Sequence, residues 1–208
     1  VIDRFSWAPD SSSVAFGVST IERPSLVMTA GLDGRTTVVA DGDVADPPPT
    51  AAPESITYVT WDGREIPGFF FRPEGDGPFP ALVEIHGGPE GQRKLDYGTN
   101  GASLQYLVSL GIAVLALNVR GSTGYGKEYC HLDDREKRLD AVRDVAAAAE
   151  WLRTRDDILG DRIAVYGVSY GGFMTLSALV RYPEIWAAGV EMVGMAHLGT
   201  FLERTGPW

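Results

Sequence analysis

Arg162-Ile-Ala-Val-Tyr-Gly167-Val168-Ser169-Tyr170-Gly171-Gly172-Phe173-Met174 decides how this chain is read. Ile163 to Tyr166 is apolar and partly β-branched, as a buried parallel strand should be. A tight turn follows, and Phe173 to Val180 has the composition of a helix that Tyr182-Pro183 would end. The turn carries the Gly-x-Ser-x-Gly pattern of a nucleophile elbow. A serine hydroxyl is a weak nucleophile and has to be lifted clear of the backbone beside a base. A sharp strand-to-helix turn lifts it but crowds the neighbouring backbone, so Gly167 and Gly171 stand where a Cβ would clash. The helix N-terminus then points its N–H groups to where negative charge develops in acyl transfer. Short Gly/Ser patterns arise by chance in a chain with 25 glycines. The strand before and the helix after make this one a motif, with Ser169 the expected nucleophile.

The same alternation extends upstream. Leu139 to Arg153 predicts an alanine-rich amphipathic helix with Leu139, Val142, Val145, Ala146, Ala149 and Leu152 on its apolar face. Ile112 to Asn118 and Pro80 to His86 predict strands, and Thr99 to Leu110 a helix closed by Gly111. Ser55 to Trp61 and Ile66 to Arg72 flank Asp62-Gly63 as a hairpin. Downstream, Trp186 to Val193 predicts one more strand. Strands alternating with helices imply a mostly parallel α/β sheet with right-handed crossovers, spanning residues 54–208.

The first 45 residues differ. Phe5 to Phe16 holds two strands around a Pro-Asp-Ser turn, and Leu26 to Thr29 and Thr36 to Ala40 flank Gly31-Leu-Asp-Gly34. This all-β material is too small to bury a core alone. Its aromatic-Ser-Trp-x-Pro-Asp pattern resembles the turn of a β-propeller blade. Residues 1–45 are read as the last blade of a propeller, the other reading being a hairpin pair packed on the next domain. Residues 46–53, rich in proline, form a stiff linker between the two regions.

Two further stretches fall at the C-terminal ends of strands, where open α/β sheets bind ligands. His86-Gly87-Gly88-Pro89 offers bare backbone amides for an oxyanion hole. The expected pair is the N–H of Gly88 with that of Tyr170, the residue after the nucleophile, and Gly87 is the neighbouring alternative. His86 reads either as a catalytic base or as a residue that positions the loop. Chain order favours positioning, since hydrolases of this kind place the base after the serine. Arg120-Gly121-Ser122-Thr123-Gly124-Tyr125-Gly126 lacks the Gly-Lys-Ser/Thr ending of a phosphate loop and the spacing of a dinucleotide fingerprint. Arg120 is either a substrate contact or an ion-pair partner of Asp144, and the structural role is favoured.

Composition excludes several classes. Net charge is −10 with no basic stripe, which argues against nucleic acid. No apolar run is long enough to span a bilayer, and no signal peptide is visible. A single cysteine, Cys130, permits no intrachain disulfide and fits a cytoplasmic setting; it reads as a small hydrophobe in a loop.

His86-Gly-Gly-Pro89, Asn118-Val-Arg-Gly-Ser-Thr-Gly-Tyr-Gly126 and Gly167-Val-Ser-Tyr-Gly-Gly172, in this order, resemble the prolyl oligopeptidase family of serine peptidases. The likeness is to its acylaminoacyl-peptidase and dipeptidyl-aminopeptidase-like members, and runs from about Ser55 to the end. It implies an α/β-hydrolase domain capped by a β-propeller and cleavage of short peptides with no metal or cofactor. Ser169 would be the nucleophile, with the Tyr170 and Gly88 amides as the oxyanion hole. One departure stands out. The family triad needs an Asp and then a His well after the serine, and no Asp follows Ser169. Only Glu184, Glu191, His197 and Glu203 offer related chemistry there, and no Asp lies between Ser169 and His197 to complete a triad. The expectation is therefore a piece of a larger enzyme, cut at both ends, inactive alone, and partnered by the missing C-terminal part with its Asp and His. Its final strand would leave an open sheet edge. A carboxylesterase or lipase on the same fold, or a non-catalytic module that kept it, are the competing readings.

Overall fold

The computed structural model describes residues 1–42, 50–97 and 101–206. The contacts divide into two units, 1–52 with 94–110, and 53–93 with 111–208.

The first unit is built on a four-stranded antiparallel sheet, β1 (Ile2–Trp7), β2 (Ser13–Val18), β3 (Leu26–Gly31) and β4 (Thr36–Asp41), paired in chain order. Its turns use the chemistry their residues supply. The Asp10 carboxylate accepts from the Ser12 amide (3.1 Å) and hydroxyl (2.7 Å), an Asx-type closure of the Pro-Asp-Ser turn. Gly34, at φ 79°, closes the next hairpin by donating to the Gly31 carbonyl (2.9 Å). Helix α1 (Gly101–Ser109) belongs to this unit, although sequence alternation assigns it to the α/β region. Gln105 exchanges two hydrogen bonds with the Ala51 backbone (2.7 and 2.9 Å), and Leu104 and Val108 are buried. Thr99, the expected start of that helix, and residues 46–49 of the linker lie outside the described residues.

The second unit is a six-stranded sheet in the order β10-β9-β7-β8-β6-β5. It comprises β5 (Glu54–Val59), β6 (Glu65–Phe71), β7 (Phe79–Ile85), β8 (Ala113–Leu117), β9 (Ile158–Val168) and β10 (Ala188–Met192). Strands β10, β9, β7 and β8 run parallel, β6 runs against them, and β5 pairs antiparallel with β6. This is a partial α/β-hydrolase sheet. Its centre is the continuous apolar run of β8, buried at every residue, beside Val83 and Ile85 of β7 and Ile163 and Val165 of β9. Helix α3 (Arg138–Arg153) packs on β5, β7, β9 and on α4 (Tyr170–Arg181). Contact on two sides widens its buried stripe beyond the amphipathic prediction to include Ala141, Ala148 and Asp144. Leu139, expected in that stripe, lies in the first turn and stays exposed. Cys130 sits not in a loop but at the end of the one-turn helix α2 (Lys127–Cys130). At one margin, β10 is exposed throughout and among the described residues pairs only with β9.

Candidate active site

Strand β9 ends at Val168 and α4 begins at Tyr170, leaving Ser169 alone to make the turn. It does so at φ 59° and ψ −117°, a conformation that costs a non-glycine residue about 1–3 kcal/mol and survives only when its surroundings fix it. Those surroundings are backbone. The Ser169 amide donates to the Met192 carbonyl of β10 (2.9 Å), and the Phe173 amide donates to the Ser169 carbonyl (3.1 Å). A Cβ on Gly167 would fall on the Gly171 carbonyl, and one on Gly171 would fall on the carbonyl of Ile85. The motif glycines are thus forced by two close approaches: the turn against itself, and the turn against the end of β7. Helix α5 (Leu198–Arg204) follows β10. The Ser169 side chain is exposed, raised at the C-terminal margin of the parallel strands.

The His86–Gly91 loop leaves β7 directly beside it. A Cβ built on Gly87 would lie 3.4 Å from the Ser169 Cβ and 4.0 Å from its Oγ. Gly88 follows at φ 148°, and its own Cβ would lie 2.7 Å from the Gly91 nitrogen, so the chain is folded too tightly there for a side chain. Neither the Gly88 nor the Tyr170 amide donates a hydrogen bond among the described residues. Ser169, Gly88 and Tyr170 therefore come from one corner of the sheet.

His86 is buried and fully engaged. Its Nδ1 lies 2.7 Å from the Gly87 carbonyl and its Nε2 2.8 Å from the Ser122 hydroxyl. Burial pushes its pKa down, against the pull of the Gly87 carbonyl, which favours the neutral ring. A carbonyl can only accept, so Nδ1 carries the proton, and Nε2 lies against the Ser122 hydroxyl, whose one proton is shared with the Val119 carbonyl (2.7 Å). Neither nitrogen is left to take a proton from Ser169, and His86 ties its loop to the loop after β8.

That second loop is fixed in part by partners the sequence alone did not single out, Arg93, Glu84 and Asp62. Asn118 accepts from the Arg93 amide (2.7 Å), donates to the Arg93 carbonyl (3.1 Å) and to the Tyr125 hydroxyl (2.9 Å). Arg93 in turn pairs with Glu84, buried in β7. The signal for Glu84 was present, because a carboxylate inside the run Ala81-Leu-Val-Glu-Ile85 demands a buried partner. Arg120 is held by Asp144 through Nε (2.8 Å) and Nη2 (2.7 Å), and by Asp62 through two further bonds (3.0 and 3.1 Å). With all its charge thus matched, Arg120 is a structural residue.

His197 is exposed and caps α5, its Nδ1 accepting from the Thr200 amide (3.0 Å). Among the described residues no group of three or more His, Cys, Asp or Glu side chains could hold a metal ion. No helix among them is long and apolar enough to cross a membrane.

Comparison with known proteins finds relatives of this chain in sequence and in fold. The model of the prolyl oligopeptidase family matches residues 98–207, which include the elbow. The chain is 35% identical over 135 residues to dipeptidyl aminopeptidase BIII of Pseudoxanthomonas mexicana, covering 65% of this chain and 19% of that protein. It is 34% identical over 183 residues to the uncharacterized peptidase YuxL of Bacillus subtilis, covering 84% of this chain and 27% of that protein. Among solved structures, a puromycin-hydrolyzing peptidase of Mycobacterium tuberculosis superposes with a TM-score of 0.84 at 27% identity, over 94% of this chain and 31% of that one. The chain thus spans less than a third of the length of each of these relatives. By the match over residues 98–207, the chain belongs to the prolyl oligopeptidase family.

Proposed function

We propose that this chain carries the nucleophile of a serine peptidase that hydrolyses short peptides through an acyl-enzyme on Ser169. The observation that carries the reading is the exposed Ser169 at φ 59°, a strain with no purpose in a turn that merely reverses the chain. In the proposed step the Ser169 Oγ attacks the scissile carbonyl, and the amides of Gly88 and Tyr170 receive the developing oxyanion. No metal or cofactor enters this step, and the peptidase names of the relatives favour a peptide over a simple ester.

The general base is assigned outside residues 1–208. His86 is occupied on both nitrogens, His197 is engaged as a helix cap, and His131 precedes the serine and pairs with Asp134 (3.0 Å). The three histidines of the chain are thereby accounted for. The chain alone should consequently retain only the small residue of catalysis that an oxyanion hole and binding supply. Its functional partner is the remainder of the same enzyme, carrying Asp and His, which would add to the sheet beyond β10. Domain limits of 1–45 and 54–208 about a linker are proposed with this scheme, residues 94–110 contacting the first unit, and a cytoplasmic setting suits a chain with one cysteine.

The test compares the full-length protein, its Ser169→Ala variant and the isolated chain with a fluorophosphonate probe and with peptide p-nitroanilides and p-nitrophenyl esters. Labelling and anilide turnover by the full-length protein alone are expected. Strong labelling of the isolated chain would show that a base is already present. Ester turnover without anilide turnover would make the protein an esterase.

A further inference from the structure

We propose that Asp133 is a positioning residue for the oxyanion hole, holding Tyr170 from behind and bracing the opposite loop. The inference rests on the hydrolase reading above and extends it to a residue that touches neither the nucleophile nor the substrate.

Tyr170 has two ends with different tasks. Its amide opens α4 next to Ser169, while its side chain is fully buried in the core behind the elbow. A buried tyrosine hydroxyl needs a partner that phenylalanine would not. Here the hydroxyl donates to Asp133 Oδ2 (3.1 Å), and the Asp133 side chain is itself only 3% exposed. That hydroxyl is the one side-chain hydrogen-bond donor Asp133 has among the described residues. The Arg138 guanidinium stands 5.1 Å from the centre of the Tyr170 ring. A buried carboxylate with one such donor is a costly way to fill space, since an apolar pair would pack there at lower cost.

The other side of Asp133 faces the loop after β8. A Cβ on Gly121, which has φ 96°, would fall on the Asp133 carboxyl group. The loop therefore closes directly over the carboxylate. The next residue, Ser122, holds His86, and His86 holds the Gly87 carbonyl. Asp133 thus lies between the two halves of the proposed hole: Tyr170 directly, and the Gly88 loop through Gly121, Ser122 and His86. The mechanical reason is in the elbow. Strain at Ser169 is relieved by rotating the Ser169–Tyr170 peptide, and that rotation swings the Tyr170 amide away from the oxyanion. Anchoring the far end of the Tyr170 side chain opposes it.

The experiment uses the full-length protein with Asp133→Ala, Asp133→Asn, Tyr170→Phe, the Asp133→Ala/Tyr170→Phe double variant and Ser169→Ala. It measures kcat and KM on a peptide p-nitroanilide, the rate of fluorophosphonate labelling, and thermal melting. Asp133→Ala and Tyr170→Phe should each lower kcat and labelling about tenfold, because misplaced donors lose transition-state stabilisation, with KM held within about twofold. Asp133→Asn keeps an oxygen acceptor and should recover most of the rate. The double variant should be no worse than either single one. Wild-type kcat in Tyr170→Phe, a loss confined to KM, or Asp133→Asn falling as far as Asp133→Ala would each overturn the inference. If Asp133→Ala fails to fold, Tyr170→Phe and Asp133→Asn decide it. Turnover that survives in Ser169→Ala overturns the hydrolase reading and this inference with it. Turnover lost in Ser169→Ala yet unchanged in Tyr170→Phe overturns this inference alone.

Discussion

Replacing Asp144 by alanine tests whether the loop after β8 is held by a buried charge pair. Asp144 is completely buried, and its carboxylate receives Arg120 Nε (2.8 Å), Arg120 Nη2 (2.7 Å), the Arg120 amide (3.2 Å) and the Thr60 hydroxyl (2.9 Å). The substitution leaves a guanidinium that is 4% exposed with Asp62 as its remaining partner, and strands the Thr60 hydroxyl. Removing one member of a buried pair costs about 3–5 kcal/mol because the other charge stays buried. Asp62, still bidentate to Arg120, places this case near the lower end, about 3 kcal/mol. For a domain of this size that is a fall of about 6–12 °C in the melting transition of the α/β unit. Asp62→Ala should cost much less, about 1 kcal/mol, since that carboxylate is partly exposed. The assay is thermal melting of the full-length protein followed by circular dichroism and tryptophan fluorescence. Arg120→Met combined with Asp144→Leu should recover most of the loss, because an apolar pair carries no desolvation penalty. A melting point for Asp144→Ala within about 2 °C of wild type would refute the argument, as would a double variant no better than Asp144→Ala.

Two further outcomes follow from the elbow and its support. Gly171→Ala places a methyl group on the Ile85 carbonyl and 2.8 Å from that of His86. Backbone cannot yield as a side chain can, so a loss of at least about 1–3 kcal/mol in stability and of fluorophosphonate labelling is expected; an unchanged labelling rate would contradict the close packing of elbow on β7. Burial raises the Asp133 carboxyl above its ordinary range, with Tyr170 and Arg138 pulling the other way. A raised folded-state value means the stabilisation is present in full below the unfolded carboxylate value of about 4 and is lost as pH rises through the folded one. Asp133→Asn is neutral at every pH, so its melting point should gain on wild type between pH 4 and pH 7; an equal difference at both would count against it.

The elbow was legible because its residue types are dictated locally. A serine that must sit at positive φ between two close backbone approaches leaves no choice but glycine at 167 and 171, and that constraint is written in the sequence. The parallel strands were legible for a similar reason, since only a strand covered on both faces tolerates a run like Ala113 to Leu117. Helix α1 was different. Its apolar residues mark a buried face without naming what buries it, and its packing with the first unit, through Gln105 and Ala51, comes from a contact 54 residues away along the chain.

The polar supports of the site belong to the same category. Asn118, Ser122 and Asp133 are unremarkable in composition, and any of them could lie on a surface loop. Sequence by itself determined the parallel sheet and the identity of the raised serine, because each depends on periodicity or on the steric demands of neighbouring residues; the family entered only as a resemblance carried by three short motifs. Only the tertiary structure decided that His86 is spent on Ser122 and Gly87, that Arg120 is closed off by Asp144 and Asp62, and that Asp133 stands behind Tyr170. Hydrogen bonds between residues distant in the chain are set by how strands and loops are brought together, and no local pattern records them.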